Sequence, residues 1–188
     1  MIVVDPTFSS YEFYATIMGA RVIHLSLEPD TYGLSVDGLL GAVTDRCKIV
    51  CVCTPNNPTG GVLTEPVLKE LAELAAANDL MVISDEVYER IVYGRHSISM
   101  AARPSVRERV ITMNGFSKSV AMTGWRMGYL AAPKPVYDVA YKLYQHSLSC
   151  MSGFLQKGAM EAFRCQREIE DMRQVYEHRR DLFTSALD

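Results

Sequence analysis

The chain has 188 residues, 48% hydrophobic and 22% charged, with a formal net charge of −3 at pH 7, the composition of one soluble domain able to bury a sizeable core. The negative balance, without a Lys/Arg run or basic residues interleaved with aromatic ones, excludes a nucleic-acid surface and points to a small-molecule partner. No apolar stretch reaches transmembrane length, and the opening Met1-Ile2-Val3-Val4-Asp5 has no basic region ahead of its short apolar run, so a membrane span and a signal peptide are not expected and the expected compartment is the cytosol.

In chain order, short apolar, β-branched runs at 2–4, 21–25, 48–54, 80–84, 109–114 and 127–131 read as strands. Between them, 11–18 and 64–78 have helical period. The second carries Leu68, Leu71, Ala72 and Ala75 on one face, with Thr64 placed to cap it. Strands alternating with helices predict an α/β fold: three layers, α/β/α, around a mixed, mostly parallel sheet. From 133 onward the pattern is helical with no strand signal. The last helix spaces Ile169, Met172, Val175, Tyr176 and Leu182 for one apolar stripe. That helix reaches the end without a stop signal, and an apolar strand begins at the second residue. We therefore expect a piece of a longer protein, with residues 1–150 as its core and 151–188 as helices leading onward.

Cys47, Cys51, Cys53, Cys150 and Cys165 are odd in number and show no CxxC spacing, so free thiols are expected; on a strand, Cys51 and Cys53 share one buried face. His24, His96, His146 and His178 lack metal-ligand spacing, and no metal site is expected.

Ligands of open α/β sheets bind beyond the carboxyl ends of the parallel strands. Run 48–54 is followed by Pro55-Asn56-Asn57-Pro58-Thr59-Gly60-Gly61, run 80–84 by Asp85-Glu86-Val87-Tyr88, and run 109–114 by Gly115-Phe116-Ser117-Lys118. An amide, a carboxylate, a phenol and an amine are thus expected to converge on one rim. Arg126 precedes its strand and reaches the same rim if that strand runs antiparallel.

These segments, PNNPTG at 55–60, SDEVY at 84–88 and NGFSKSVAMTGWRMGY at 114–129, together with Pro6-Thr7-Phe8-Ser9-Ser10-Tyr11, resemble the ordered motifs of the class I/II aminotransferases, the fold-type I family of pyridoxal phosphate (PLP) enzymes. The resemblance covers nearly the whole chain and implies the large, cofactor-binding domain of that family. Lys118 matches the lysine that forms a Schiff base with PLP and then moves the substrate proton, two tasks that require a primary amine. Asp85 matches the aspartate that pairs with the pyridine nitrogen and keeps it protonated. Asn57 and Tyr88 match the donors to the phenolic oxygen of PLP, and the asparagine in this family also touches the substrate carboxylate. Arg126 matches the arginine that binds the cofactor phosphate through its guanidinium fork. Ser117 would add a hydroxyl to that phosphate, whereas Gly115 stands where many relatives have a serine. Phe8 falls where the family stacks an aromatic ring on PLP. Glu86 is read as structural.

The implied reaction is amino-group transfer between an amino acid and a 2-oxo acid. The wording of NGFSK and AMTGWR leans toward relatives acting on aspartate or aromatic amino acids. Two family elements have no match in these residues: an upstream segment that contributes to the phosphate site, and a small C-terminal domain whose arginine clamps the substrate carboxylate. The polypeptide alone is therefore expected to be a weak aminotransferase or inactive. Relatives are homodimers, which implies the same here. Two alternatives stay open: a β-lyase or cyclase on the same scaffold, and a non-enzymatic aminotransferase-like domain within a regulator.

Overall fold

The computed structural model describes residues 1–187; Asp188, the last residue of the expected C-terminal segment, lies outside them. Six strands form one sheet in the order β2-β1-β3-β4-β5-β6. They are β1 (Ile2–Asp5), β2 (Ile23–Ser26), β3 (Ile49–Cys53), β4 (Met81–Asp85), β5 (Val110–Gly115) and β6 (Gly128–Ala131). The first five run parallel, and β6 closes the edge antiparallel to β5, pairing Gly115 with Gly128. Every strand expected from the apolar runs is present, and β6 has the direction that brings its start to the rim.

Alternation along the strands sends side chains to two different cores. On one face Ile2, Val4, Val50, Val52, Val82 and Val110 pack with Leu39 of α2 (Val36–Ala42) and with Leu68, Leu71, Ala72 and Ala75 of α3 (Glu65–Ala77). The α3 face is the one its spacing predicts, and each fully buried leucine on it is worth about 1.5–3 kcal/mol. Thr64 occupies the N-cap position but makes no capping bond with its side chain. The helix α2 was not among the expected elements, although Ser35 is a recognisable cap whose side chain accepts from the Gly38 N–H at 3.1 Å. On the opposite face, Val3, Cys51 and Cys53 pack with Tyr11 of α1 (Ser10–Ile17), with Ile83 and Met113 against them. Cys51 and Cys53 thus share a buried face, as expected.

Beyond the sheet come α4 (Phe116–Ser119), α5 (Lys134–Ser147), α6 (Gly153–Ala162) and α7 (Gln166–Ser185). A third cluster joins Phe116 and Met127 to Ala159 and Ala162 of α6. The stripe expected on α7 is not a buried face: Ile169 is buried, while Val175, Tyr176 and Leu182 are exposed. The helix instead meets the 90–93 segment through polar groups. Arg90 donates to Gln166 at 3.2 Å, Arg173 to the Val92 carbonyl at 3.4 Å, and the Arg180 guanidinium lies 4.5 Å from the Tyr93 ring centre. Among the described residues no helix is long and apolar enough to cross a membrane.

Candidate active site at the carboxyl edge of the sheet

The register places the ends of β3, β4 and β5 side by side, Cys53 opposite Asp85 and Asp85 opposite Met113. The loop after β3 is tied down by its own bonds. Asn56 N donates to the Gly61 carbonyl, Gly60 N to the Asn56 carbonyl, both at 2.8 Å, and the buried Asn56 side chain donates to the Pro6 carbonyl at 3.2 Å. Gly60 stands at φ +72°, where a side chain would be strained. Asn56 is therefore the anchor, and its neighbour Asn57 faces the site, donating from Nδ2 to the Tyr88 hydroxyl at 3.5 Å.

The adjacent acids divide in the same way, because consecutive residues leave a strand end on opposite sides. Glu86 is buried, and its Oε1 accepts from Ser84 Oγ at 2.8 Å, Ser99 Oγ at 3.0 Å and Met100 N at 3.1 Å. Burial raises its carboxyl above the ordinary range, and those three donors draw it back in part. Asp85 turns the other way and is half-buried. Its Oδ1 accepts from Val87 N at 3.1 Å and its Oδ2 from the Tyr11 hydroxyl at 2.6 Å. Phe8 meets the Tyr11 ring edge-to-face, with centres 5.8 Å apart. Burial and the nearby Cys53 and Asp85 charges raise the Tyr88 phenol, and the bond from Asn57 offsets part of this. Tyr88 stays protonated near neutral pH.

Lys118 lies in α4, immediately beyond β5, with Nζ 5.8 Å from the Tyr88 ring centre. Ser117 precedes it in the same turn, half-buried. Phe116 N donates to the Met127 carbonyl at 3.2 Å, and Met122 N to the Phe116 carbonyl at 3.1 Å, so the backbone draws Arg126 to the end of the strand that delivers Lys118. Arg126 itself is exposed, at φ 53° in the left-handed region, with Nη1 donating to the Thr123 carbonyl at 3.1 Å. Such a conformation costs a residue with a side chain about 1–3 kcal/mol, and strain of this kind gathers at functional positions.

The expected residues thus form two contacting groups, Asn57 with Tyr88 and Lys118, and Phe8 with Asp85 through Tyr11. Arg126 and Ser117 join them through the backbone alone. The motif around Phe8 assigns Tyr11 no role, although its position three residues after Phe8 at a helix start is a usable signal. A cavity of about 830 Å³ opens beside Asn57 and Tyr88, lined also by Tyr32, Arg95 and Arg180. Asp85, Lys118 and Arg126 are not in its lining.

A mostly parallel sheet presenting a lysine, an aspartate, a tyrosine and an asparagine at its carboxyl edge defines an α/β domain with a candidate small-molecule site at that edge. The family model "Aminotransferase class I and II" matches residues 1–188, and the chain belongs to that family. It is 41% identical to the aromatic-amino-acid aminotransferase 2 of Thermococcus litoralis, a match covering 100% of this chain and 49% of that protein. It is 39% identical to an aspartate aminotransferase of Musicola paradisiaca, covering 100% and 48% respectively. Among solved structures, the aromatic aminotransferase from Pyrococcus horikoshii superposes with a TM-score of 0.91 at 38% identity, over 96% of this chain and 50% of that one. The chain spans about half the length of the curated relatives it matches.

The family is generally dependent on pyridoxal phosphate, and the donor set fits that molecule. Asp85 is an anion held by two donors, with a lone pair left on each oxygen for a ring N–H. Asn57 and Tyr88 are neutral donors suited to a phenolate. Lys118 is a primary amine suited to an aldehyde, and Arg126 a cation suited to a phosphate dianion.

Proposed function

We propose that this chain is the cofactor-binding part of a PLP-dependent aminotransferase, which moves an amino group between an amino acid and a 2-oxo acid. The single observation that carries the reading is the grouping of Lys118, Tyr88 and Asn57 at the strand end beside Asp85. Bound PLP supplies an aldehyde that condenses with amines and an electron-poor ring that stabilises negative charge on the adjoining carbon. The protein's share is placement and proton handling. Asp85 holds the ring nitrogen in its protonated form, Tyr88 and Asn57 donate to the phenolic oxygen, and Phe8 covers a face of the ring. Arg126 binds the phosphate, with the Ser117 hydroxyl beside it. Lys118 Nζ would hold the cofactor through its aldehyde and, once the substrate amine has displaced it there, would be the free amine that carries the proton from the substrate α-carbon to the cofactor. The Arg126 and Ser117 contacts to the phosphate and the Phe8 contact would stay constant through turnover, whereas Asp85 and Tyr88 would face atoms whose charge changes during it.

Residues 1–150 form the cofactor core in this reading, and 151–188 lead toward a small domain of the longer protein. Turnover belongs to that protein, as a homodimer in the cytosol, a compartment with which the free thiols accord. Asn57 contributes to binding the substrate carboxylate. Relatives named for aspartate and for aromatic amino acids support a substrate in one of those classes.

The test is an absorbance spectrum of the folded chain with PLP, before and after borohydride reduction, for wild type and Lys118→Ala. A band that requires Lys118 and is locked by reduction supports the reading. A folded wild-type chain without such a band overturns it for this polypeptide. Product analysis on the longer protein separates transfer from elimination, since ammonia and pyruvate in place of a new amino acid would mark a β-lyase.

A further inference from the structure

We infer that Tyr11 is a positioning residue for the cofactor site: its hydroxyl locks the Asp85 carboxylate in the orientation that meets the ring nitrogen. The inference rests on the proposed pairing of Asp85 with that ring. Asp85 ends β4 with a side chain free to rotate about two torsions, and its neighbours on the same face are Cys53 and Met113, which offer no strong donor. Two bonds remove that freedom. Val87 N holds Oδ1 at 3.1 Å from within the same loop, and Tyr11 holds Oδ2 at 2.6 Å across a sequence separation of 74 residues. The second is the bond that ties the carboxylate to another layer of the fold.

Tyr11 suits this task for three reasons. Its ring is buried among Val3, Cys51 and Cys53, so the hydroxyl has one place to point. Burial, Cys53 and the bond to Asp85 all push its phenol far above its ordinary value, so it remains a donor at every working pH. Its ring also braces Phe8 edge-to-face at 5.8 Å. One residue therefore sets both the anion at the ring nitrogen and the aromatic surface expected over the ring. The aspartate supplies the charge, and Tyr11 supplies its direction.

The experiment is a double-mutant cycle on the chain with PLP, using Tyr11→Phe, Asp85→Ala and the pair. It reads the Kd for PLP by fluorescence titration and the pH midpoint of the absorbance of bound PLP. Phenylalanine keeps the buried ring and its contact with Phe8 while deleting the hydroxyl; Tyr11→Met is the second hydroxyl-free variant should the first fold poorly. Hydrogen bonds to charged groups are worth enough that Tyr11→Phe should weaken PLP binding about tenfold. The midpoint should move to higher pH by about half a unit or more, because a ring nitrogen paired less firmly draws less electron density from the lysine nitrogen. In the Asp85→Ala background the same substitution should change neither quantity. Equal losses in both backgrounds, or an unmoved midpoint, would overturn the positioning role and leave the site assignment standing. An Asp85→Ala chain that binds PLP as wild type does, with an unchanged spectrum, would instead overturn the assignment and this inference with it.

Discussion

Replacing Glu86 and Asp85 in turn should separate a structural acid from a functional one although they are neighbours in the chain. Glu86 Oε1 accepts from two hydroxyls and one backbone N–H inside the core. Glu86→Ala strands all three donors. At about 1–3 kcal/mol for each buried group left unsatisfied, and with some finding other partners, the loss should total about 3–5 kcal/mol. That is a large part of the roughly 5–15 kcal/mol that holds a domain of this kind together. Glu86→Gln keeps an acceptor in place and removes the buried charge, so it should cost about 1 kcal/mol or less near neutral pH. The pH dependence has a definite sign. Burial raises the Glu86 carboxyl above its ordinary 4.5, so the folded chain binds that proton more tightly than the unfolded one. Its contribution to stability is full below about pH 4.5 and is lost as pH rises through the higher folded value. The glutamine variant lacks this loss, and its stability relative to wild type should improve across the same window. Urea unfolding from pH 4 to pH 8 measures all of this. Asp85→Asn should leave stability within about 1–2 kcal/mol and instead weaken PLP binding about tenfold or more. A Glu86→Gln chain as unstable as Glu86→Ala would refute the reasoning, since it would make the buried charge and not the acceptor the stabilising element.

Arg126→Gly should move stability and binding in opposite directions: relief of the left-handed backbone at φ 53° adds about 1 kcal/mol to the unfolding free energy, and PLP affinity falls with the lost guanidinium. Thermal unfolding and PLP titration on one preparation check both parts. In thiol titration with an aromatic disulfide reagent, the exposed Cys150 should react promptly in the native chain. Cys51, buried and with its thiol pushed up chiefly by burial, should react only on unfolding, as should Cys53. Prompt reaction of four or more of the five thiols in the folded chain would require Cys51 or Cys53 to be accessible and would contradict the packing of the Tyr11 face.

The elements that were legible in the sequence are those whose local pattern and tertiary environment agree. The strand runs are short and β-branched, and α3 repeats leucine and alanine at helical spacing, so each could be read locally. Its neighbour α2 carries two glycines in seven residues, which weakens the helical signal, and it is held by the Ser35 cap and by burial of Leu39 against the sheet. The charged helix α7 misled in the opposite sense. Its apolar spacing is present, yet only Ile169 is buried among the stripe residues, and arginine contacts dock the remainder. Periodicity reports what a helix has available to bury, not what lies opposite it.

For the site, the residue types flanking the strands, and the motifs they form, were written in the chain itself: Asn57, Asp85, Tyr88 and Lys118 stand where turns follow apolar runs, and Arg126 just ahead of one. The motif resemblance singles out Asn57 and Asp85 within their doublets, but the physical reason for that choice exists only in three dimensions. Asn56 and Asn57 are chemically identical, but one is consumed holding the Pro6 carbonyl and the other reaches Tyr88. Glu86 and Asp85 part to opposite faces of the sheet, one to the Ser84, Ser99 and Met100 donors and the other to Tyr11. A hydrogen bond between residues 74 positions apart leaves no local trace in sequence, because it depends on strand order and register, which arise from packing the whole sheet between its helices.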